Sequence, residues 1–168
     1  MQTFDIIRPQ DFDPVFDKIG KEWMLISASD GTVSNTMTAS WGSCGILWNK
    51  PVATCFIRPQ RFTCPLVEQA SRITLSFLPE KYRAALNYCG SHSGRDGDKF
   101  KAAGLTCAHT EDGVPYPLEA DLVLVCRKLY ADDIKEHAIL DPAIFSNYPK
   151  KDYHRFYICE IEQVMKRK

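Results

Sequence analysis

The chain has 168 residues, an ordinary length for one domain and enough to bury a core without metal or disulfide staples. Its 21 Lys and Arg balance 21 Asp and Glu, which excludes a global field that would draw in nucleic acid or an anionic membrane. The seven cysteines, at 44, 55, 64, 89, 107, 126 and 159, form no C-x-x-C pair and leave one over, as expected of reduced thiols in a cytosol and not of a secreted disulfide framework.

The opening MQTFDIIRPQDFDP carries acids where a signal peptide would carry a basic region, and apolar runs reach only about five residues, far short of a membrane span. Trp23 to Ala28 reads as a strand, and Asp30-Gly31 as a hairpin turn, because glycine reaches the positive φ such turns need. The returning arm starts at Thr32 and runs into the segment from Asn35 to Trp41, whose polar groups fall on both faces instead of alternating with apolar ones. Asn49-Lys50-Pro51 makes the next turn, and Val52 to Ile57 is a strand rich in β-branched and aromatic residues, which Pro59 ends.

Thr63 is expected to N-cap a short helix through Ala70, with Pro65 tolerated in the first turn. Arg72 to Phe77 alternates as a half-buried strand does. After Pro79, the spacing of Tyr82, Ala85, Leu86 and Cys89 predicts a helix that Gly90 stops, and Ser93 to Asp96 resembles a capping box opening a helix that Gly104 ends. Thr110 to Pro117 is turn-rich, whereas Leu122 to Cys126 is apolar throughout and belongs in the middle of a sheet. A short helix over Asp132 to Ala138, a late strand over Phe156 to Ile161 and a solvated basic tail at Lys166 to Lys168 complete the chain. The sum is one mainly β domain over residues 1–168, with at least six mostly antiparallel strands and short helices in the connections. A closed or partly closed barrel is the economical arrangement because it removes exposed edges, with a sandwich as the alternative.

No G-x-S-x-G, P-loop, G-x-G-x-x-G or H-E-x-x-H is present, and Cys89-x-x-His92 is half a zinc motif without its second half, so no metal site is expected. Arg58-Pro59-Gln60-Arg61-Phe62-Thr63 places two guanidiniums at a strand end, just before a helix start. Arginine forks, free helix N–H groups and a threonine hydroxyl all suit an anion. The competing reading is a pair of solvated arginines beside a capped helix. Asn35 to Trp41 offers hydroxyls and an indole for a planar heteroaromatic ligand, or is an edge strand whose tryptophan packs inward. Tyr153, His154 and Phe156 open the last strand as pocket walls or as core, with Asp152 near enough in sequence to partner His154.

Together these pieces resemble the flavin reductase-like, FMN-binding split-barrel family, in the branch that includes flavoredoxin. The resemblance runs in order from Asn35–Trp41 through Asn49–Val52, Arg58–Thr63, Cys89–Asp96 with Asp98–Phe100, Cys126–Tyr130 and Tyr148-Pro149 to Lys151–His154. It implies an antiparallel, Greek-key-like split β-barrel, a homodimer, and one FMN per subunit near the subunit interface. It would place Asn35, Thr36, Met37, Thr38, Ala39, Ser40 and Trp41 along the isoalloxazine and ribityl chain. Arg58, Arg61 and Thr63 would take the phosphate, with Gln60 beside them. Ser93, Gly94 and Lys99 would approach from the next loop, and Tyr153, His154 and Phe156 would wall the pocket, His154 being the one candidate catalytic group. Redox chemistry would then be the flavin's own, which accounts for the missing catalytic signatures. Ser43 and Cys44 depart from the family's preference for glycine and a small apolar residue at those places.

The activity implied is a cytoplasmic oxidoreductase moving a hydride from NADH or NADPH to bound flavin, and on to free flavin or another acceptor. A flavoredoxin-like electron carrier served by a redox partner protein is the alternative, and a non-redox barrel for a phosphorylated heterocycle is the third class.

Overall fold

The computed structural model describes residues 4–7 and 15–168, so most of the opening stretch MQTFDIIRPQDFDP lies outside the described residues. Among the described residues there are ten strands: β1 (Phe4–Ile7), β2 (Met24–Ser29), β3 (Ser34–Ala39), β4 (Gly42–Leu47), β5 (Lys50–Ile57), β6 (Arg72–Phe77), β7 (Cys107–His109), β8 (Pro115–Pro117), β9 (Leu122–Asp133) and β10 (Arg155–Arg167). Eight form one antiparallel sheet in the order β3-β2-β6-β9-β10-β5-β4, with β1 also on β10, while β7 and β8 make a separate hairpin. The helices are α1 (Val15–Asp17, continuing as a π-helical turn to Glu22), α2 (Thr63–Gln69), α3 (Arg83–Ser91) and α4 (Lys99–Ala102). No helix among the described residues is long and apolar enough to cross a membrane.

The Asn35–Trp41 stretch does not continue as one strand into Gly42–Leu47. β3 stops at Ala39, and after only Ser40 and Trp41 the chain enters β4 at the opposite end of the sheet order. The sheet must therefore curl until its ends lie side by side, and its inward side chains form one core: Met24, Ile26 and Met37, Ile73 and Leu75, Leu124 and Cys126, Tyr157 and Ile161. α2 closes this core with Cys64, Leu66 and Val67. A second core lies outside the barrel, where α3, α4 and the β7–β8 hairpin cover Leu25, Val123, Val125 and Met165.

Two covered faces explain why Leu122–Cys126 is continuously apolar: Leu122, Leu124 and Cys126 point into the barrel, Val123 and Val125 away from it. They also correct the reading of β6 as half-buried. Thr74 and Ser76 are sealed on its outer side, where the Thr74 hydroxyl donates to the Pro115 carbonyl at 2.7 Å. Across β5, β10, β9 and β6 the outer surface carries an alternating ladder, Lys50–Glu160–Arg127–Glu162–Arg72, in which Lys50 meets Glu160 at 2.7 Å and Arg72 meets Glu162 at 2.6 Å.

Several boundaries differ from the sequence reading. Trp48 and Asn49, both at positive φ, form the turn placed at Asn49–Pro51. Thr63 is the first helical residue and not the cap, because its hydroxyl accepts from Asn35 Nδ2 at 2.9 Å. Gly90 lies within α3, which runs on to Ser91. Ser93 does accept from the Arg95 N–H, but it opens only a 3-10 turn over Gly94–Asp96. Gly97, at φ 136, breaks the chain there, and Asp98 caps the separate α4. Asp132 and Asp133 extend β9, leaving a single 3-10 turn at Glu136–Ala138. β10 runs on past Ile161 because a bulge beyond that residue shifts its inward phase from Tyr157, Cys159 and Ile161 to Val164. The expected basic tail is thereby strand, and Arg167 donates to the Ala120 carbonyl at 2.7 Å.

The β4–β5 seam gives a direct test of the packing. A Cβ on Gly42 would lie 2.7 Å from the Thr54 carbonyl oxygen, whereas a Cβ on Gly45 in the same strand meets nothing within 4 Å. Gly42→Ala is expected to cost about 1–3 kcal/mol in denaturant unfolding, and Gly45→Ala to stay within about 0.5 kcal/mol of the parent.

Candidate functional site

Where β3 and β5 diverge, a cavity of about 250 Å³ opens between Met37, Thr38, Ala39, Ser40 and Trp41 on one side and Phe56, Arg58, Arg61 and His154 on the other. A second cavity, of about 190 Å³, is lined by Gln60, Arg61, Phe62, Ser91, His92, Ser93, Gly94, Arg95 and Lys99. Arg61 borders both, so the two meet at that residue as a cleft with an aromatic arm and a cationic arm.

The cationic arm is built on the end of α3. Arg61 donates to the Gly90 and Cys89 carbonyls at 2.7 and 2.9 Å, and Lys99 donates to the Cys89 carbonyl at 2.8 Å. The last carbonyls of a helix lack intrahelical partners and carry its negative pole, which is what gathers two cations in one place. Neither meets a carboxylate among the described residues. Burial, with the Arg61 charge as the second cause, pulls the Lys99 ammonium down to about 8, and burial lowers the Arg61 guanidinium as well. Arg95 adds a third cation over the Phe62 ring, its guanidinium 5.6 Å from the ring centre. Gly94 is required by space: a Cβ there would fall inside contact distance of the Phe62 ring and 2.6 Å from Asn35 Oδ1. An anion fits this arm on the chemistry of its donors, three cations and the Ser93 hydroxyl, with no acid lining it among the described residues.

The structure keeps Arg58 and Arg61 on one cavity but gives their charges different partners. Arg58 is paired with Asp152 and donates to the Asn147 carbonyl at 2.9 Å, so its charge is answered within the protein. Gln60 Nε2 also donates to Asp152, at 2.8 Å, and these two bonds, Gln60's first, hold the Asp152 carboxyl below its usual range. Asp152 therefore partners Arg58 and not His154.

His154 is buried and lines the aromatic arm, its ring centre 4.9 Å from that of Trp41. Burial first and the Arg58 charge second pull its imidazole down to about 4, so the ring is neutral at pH 7. Tyr153 instead packs, tilted, against Tyr148 at 4.8 Å, and Phe156 lies against Phe56 and Tyr130 at 6.0 and 6.1 Å; neither lines the cleft. Asn35, Thr36 and Thr63 sit behind the wall and not on it, as a buried network: Asn35 to Thr63, Ser27 to Thr36 at 2.9 Å, and Thr36 to the Ile26 carbonyl. Phe56, Arg95 and Tyr148 carry parts of the site that sequence reasoning passed over. Arg95 had a signal, since it stands within the same Ser-Gly-Arg segment as Ser93 and Gly94. No set of three or more His, Cys, Asp or Glu side chains among the described residues is arranged to hold a metal ion.

The family model for the flavin reductase like domain matches residues 16–167, and the chain belongs to that family. No curated protein sequence matches it. Among solved structures it is similar to an FMN-binding domain of flavin reductases-like enzyme from Shewanella baltica OS155, with TM-score 0.73 and 15% identity over 98% of this chain and 78% of that one. An FMN-binding protein from Thermus thermophilus aligns with TM-score 0.69 and 23% identity, covering 94% and 79%. Flavoredoxin of Desulfovibrio vulgaris (Miyazaki F) aligns with TM-score 0.66 and 22% identity, covering 84% and 67%. At such identities the likeness shows the fold: the antiparallel barrel with short helices in its connections is the flavin reductase-like split barrel.

The lowered His154 value has a measurable consequence. A group whose folded pKa lies below its unfolded value supports the fold fully above the unfolded pKa, about 6.5, and loses that support as pH falls toward about 4. His154→Gln is expected to flatten the fall of melting temperature across that window, removing on the order of 2–3 kcal/mol of acid sensitivity. An unchanged slope would mean that His154 is not held neutral.

Proposed function

We propose that the chain is an FMN-dependent oxidoreductase of the cytoplasm that uses NADH or NADPH. The observation that carries this reading is the pair of cavities that meet at Arg61, one aromatic and one cationic, in which Arg61 and Lys99 are answered only by backbone carbonyls. FMN has the matching two ends, a planar ring system and a phosphate. Met37 to Trp41, Phe56 and His154 would hold the ring; Arg61, Arg95, Lys99 and Ser93 would take the phosphate, with the Gly94 backbone close beside it.

When bound, FMN would supply the two-electron chemistry between a nicotinamide donor and free flavin or another acceptor. The protein's own work is to bind, orient and exclude water. Trp41 and Phe56 give the ring slot its aromatic walls, and the Arg58–Asp152 pair fixes one rim with no net charge. A neutral His154 adds no positive charge to the slot.

The same reading includes a homodimer. Trp48, Tyr130, Phe156 and Phe56 form a chain of ring contacts, 6.5, 6.1 and 6.0 Å apart, that runs from the exposed face to the edge of the cleft. Ile46 is 68% exposed and Trp48 54%, an apolar surface that a second copy would cover along with the open side of the ring slot. Trp48→Glu with Ile46→Asp is expected to halve the mass seen by light scattering; a parent that is already monomeric would sink this part.

The central experiment is the absorption spectrum of the purified protein with FMN, before and after anaerobic NADH or NADPH. Bleaching by either nucleotide is the expected result, whereas reduction by dithionite alone would favour the flavoredoxin-like carrier. Arg61→Ala and Lys99→Ala are each expected to weaken FMN at least about tenfold while changing riboflavin, which lacks the phosphate, much less. Equal losses for both ligands would remove the phosphate role. Lys99 is charged below about 8 and neutral above it, so FMN affinity should fall as pH rises past that value, and Lys99→Arg should abolish the fall.

A further inference from the structure

Tyr148 follows the 3-10 turn Pro142–Asn147 and is 5% exposed, although the turn itself is exposed. Its hydroxyl lies 2.9 Å from His154 Nδ1. A phenol carries one proton that it can give, and a neutral imidazole has one ring nitrogen that can accept it. A neutral imidazole accepting at Nδ1 carries its proton on Nε2. Nε2 has no hydrogen-bond partner among the described residues and is not one of the sealed, unpartnered polar atoms, and His154 lines the cavity.

The clamp is itself held. The Arg58 guanidinium sits 5.4 Å from the Tyr148 ring centre, the tilted Tyr153 ring packs against it at 4.8 Å, and the Tyr148 ring meets His154 edge-on at 5.6 Å while Trp41 packs against the imidazole. The imidazole is thus held between Trp41 and Tyr148.

We propose that Tyr148 is a positioning residue, which fixes His154 so that Nε2–H faces the cleft as a neutral donor for a carbonyl oxygen. A fixed, uncharged donor suits an uncharged acceptor; a carboxylate or phosphate would gain more from a cation. The identity of that acceptor rests on the proposed FMN function, and two sources share the chemistry: a ring carbonyl of the flavin, or the carboxamide of the nicotinamide.

Long-range proton–nitrogen NMR of the ligand-free protein, with the His154 signals assigned through His154→Gln, reads the tautomer before any flavin is added. The parent is expected to show one Nε2–H form, and Tyr148→Phe a mixture. An Nδ1–H form in the parent, or an unaltered spectrum in Tyr148→Phe, would overturn the clamp. With FMN bound, Tyr148→Phe should weaken FMN about tenfold if the flavin carbonyl is the acceptor. If the carboxamide is, it should raise KM for the nucleotide about tenfold with a smaller change in kcat. Neither effect, in a variant that melts like the parent, overturns the donor role. A parent that takes up no FMN defeats the flavin reading and leaves the NMR result to decide the clamp.

Discussion

Two residues, Ser40 and Trp41, join strands at opposite ends of one sheet. Such a link reaches at most about 10 Å, so the ends of the sheet are drawn together by covalent necessity, and the barrel results from it. The ends are not hydrogen-bonded to each other among the described residues. A curled sheet that is drawn together but not zipped has a seam, and the ring-sized cavity lies beside it, between β3 and the end of β5, with Trp41 at the crossing. The cleft is thus a product of the topology, and its walls come from β3, the Ser40-Trp41 link, the end of β5 with the turn after it, and His154 just before β10.

Electrostatics then divide the cleft. Arg58 and Arg61 are three residues apart, yet Arg58 faces a carboxylate and Arg61 faces carbonyls. An arginine paired with an acid adds geometry without net charge, while one resting on a helix end keeps most of its field for a ligand. Lys99 shares the Cys89 carbonyl with Arg61, and the depressed ammonium records the strain of keeping two like charges close and partly dry. An anion between them would relieve that strain.

Much of this was legible in the sequence, and unevenly so. The β6 boundaries, the central place of Leu122–Cys126 and the Asp30-Gly31 turn could be read because periodicity and turn chemistry are local. The break at Ser40-Trp41 could not, since nothing local distinguishes a strand that continues from one that crosses to the far end of its sheet. The same limit applies to Arg58. Its motif showed an anion-seeking arginine, and only the fold brings Asp152, 94 positions away, to claim it. The extent of β10 was hidden by a bulge, which interrupts the alternation by which strands are recognised. The Ser-Gly-Arg loop was read correctly as a cap and wrongly as one helix, because Gly97 at positive φ outweighs the helical spacing beyond it.

The polar crowding of Asn35 to Ser40 finds its reason in the wall it forms. Asn35 ties to α2 through Thr63, Thr36 to β2 through Ser27 and the Ile26 carbonyl, and Thr38 to α3 through the Leu86 carbonyl. Each of these three groups, which looked available for a ligand, is bonded to a neighbouring element, so β3 is fixed to three others before anything enters the cleft. A strand without such ties, bordering an unzipped seam, would be free to collapse into it. What remains for a ring to meet is backbone, the side chains of Met37, Ser40 and Phe56, indole and imidazole, already in place. A wall set by the protein's own hydrogen bonds leaves less ordering to be done on binding, as the proposed flavin role would require.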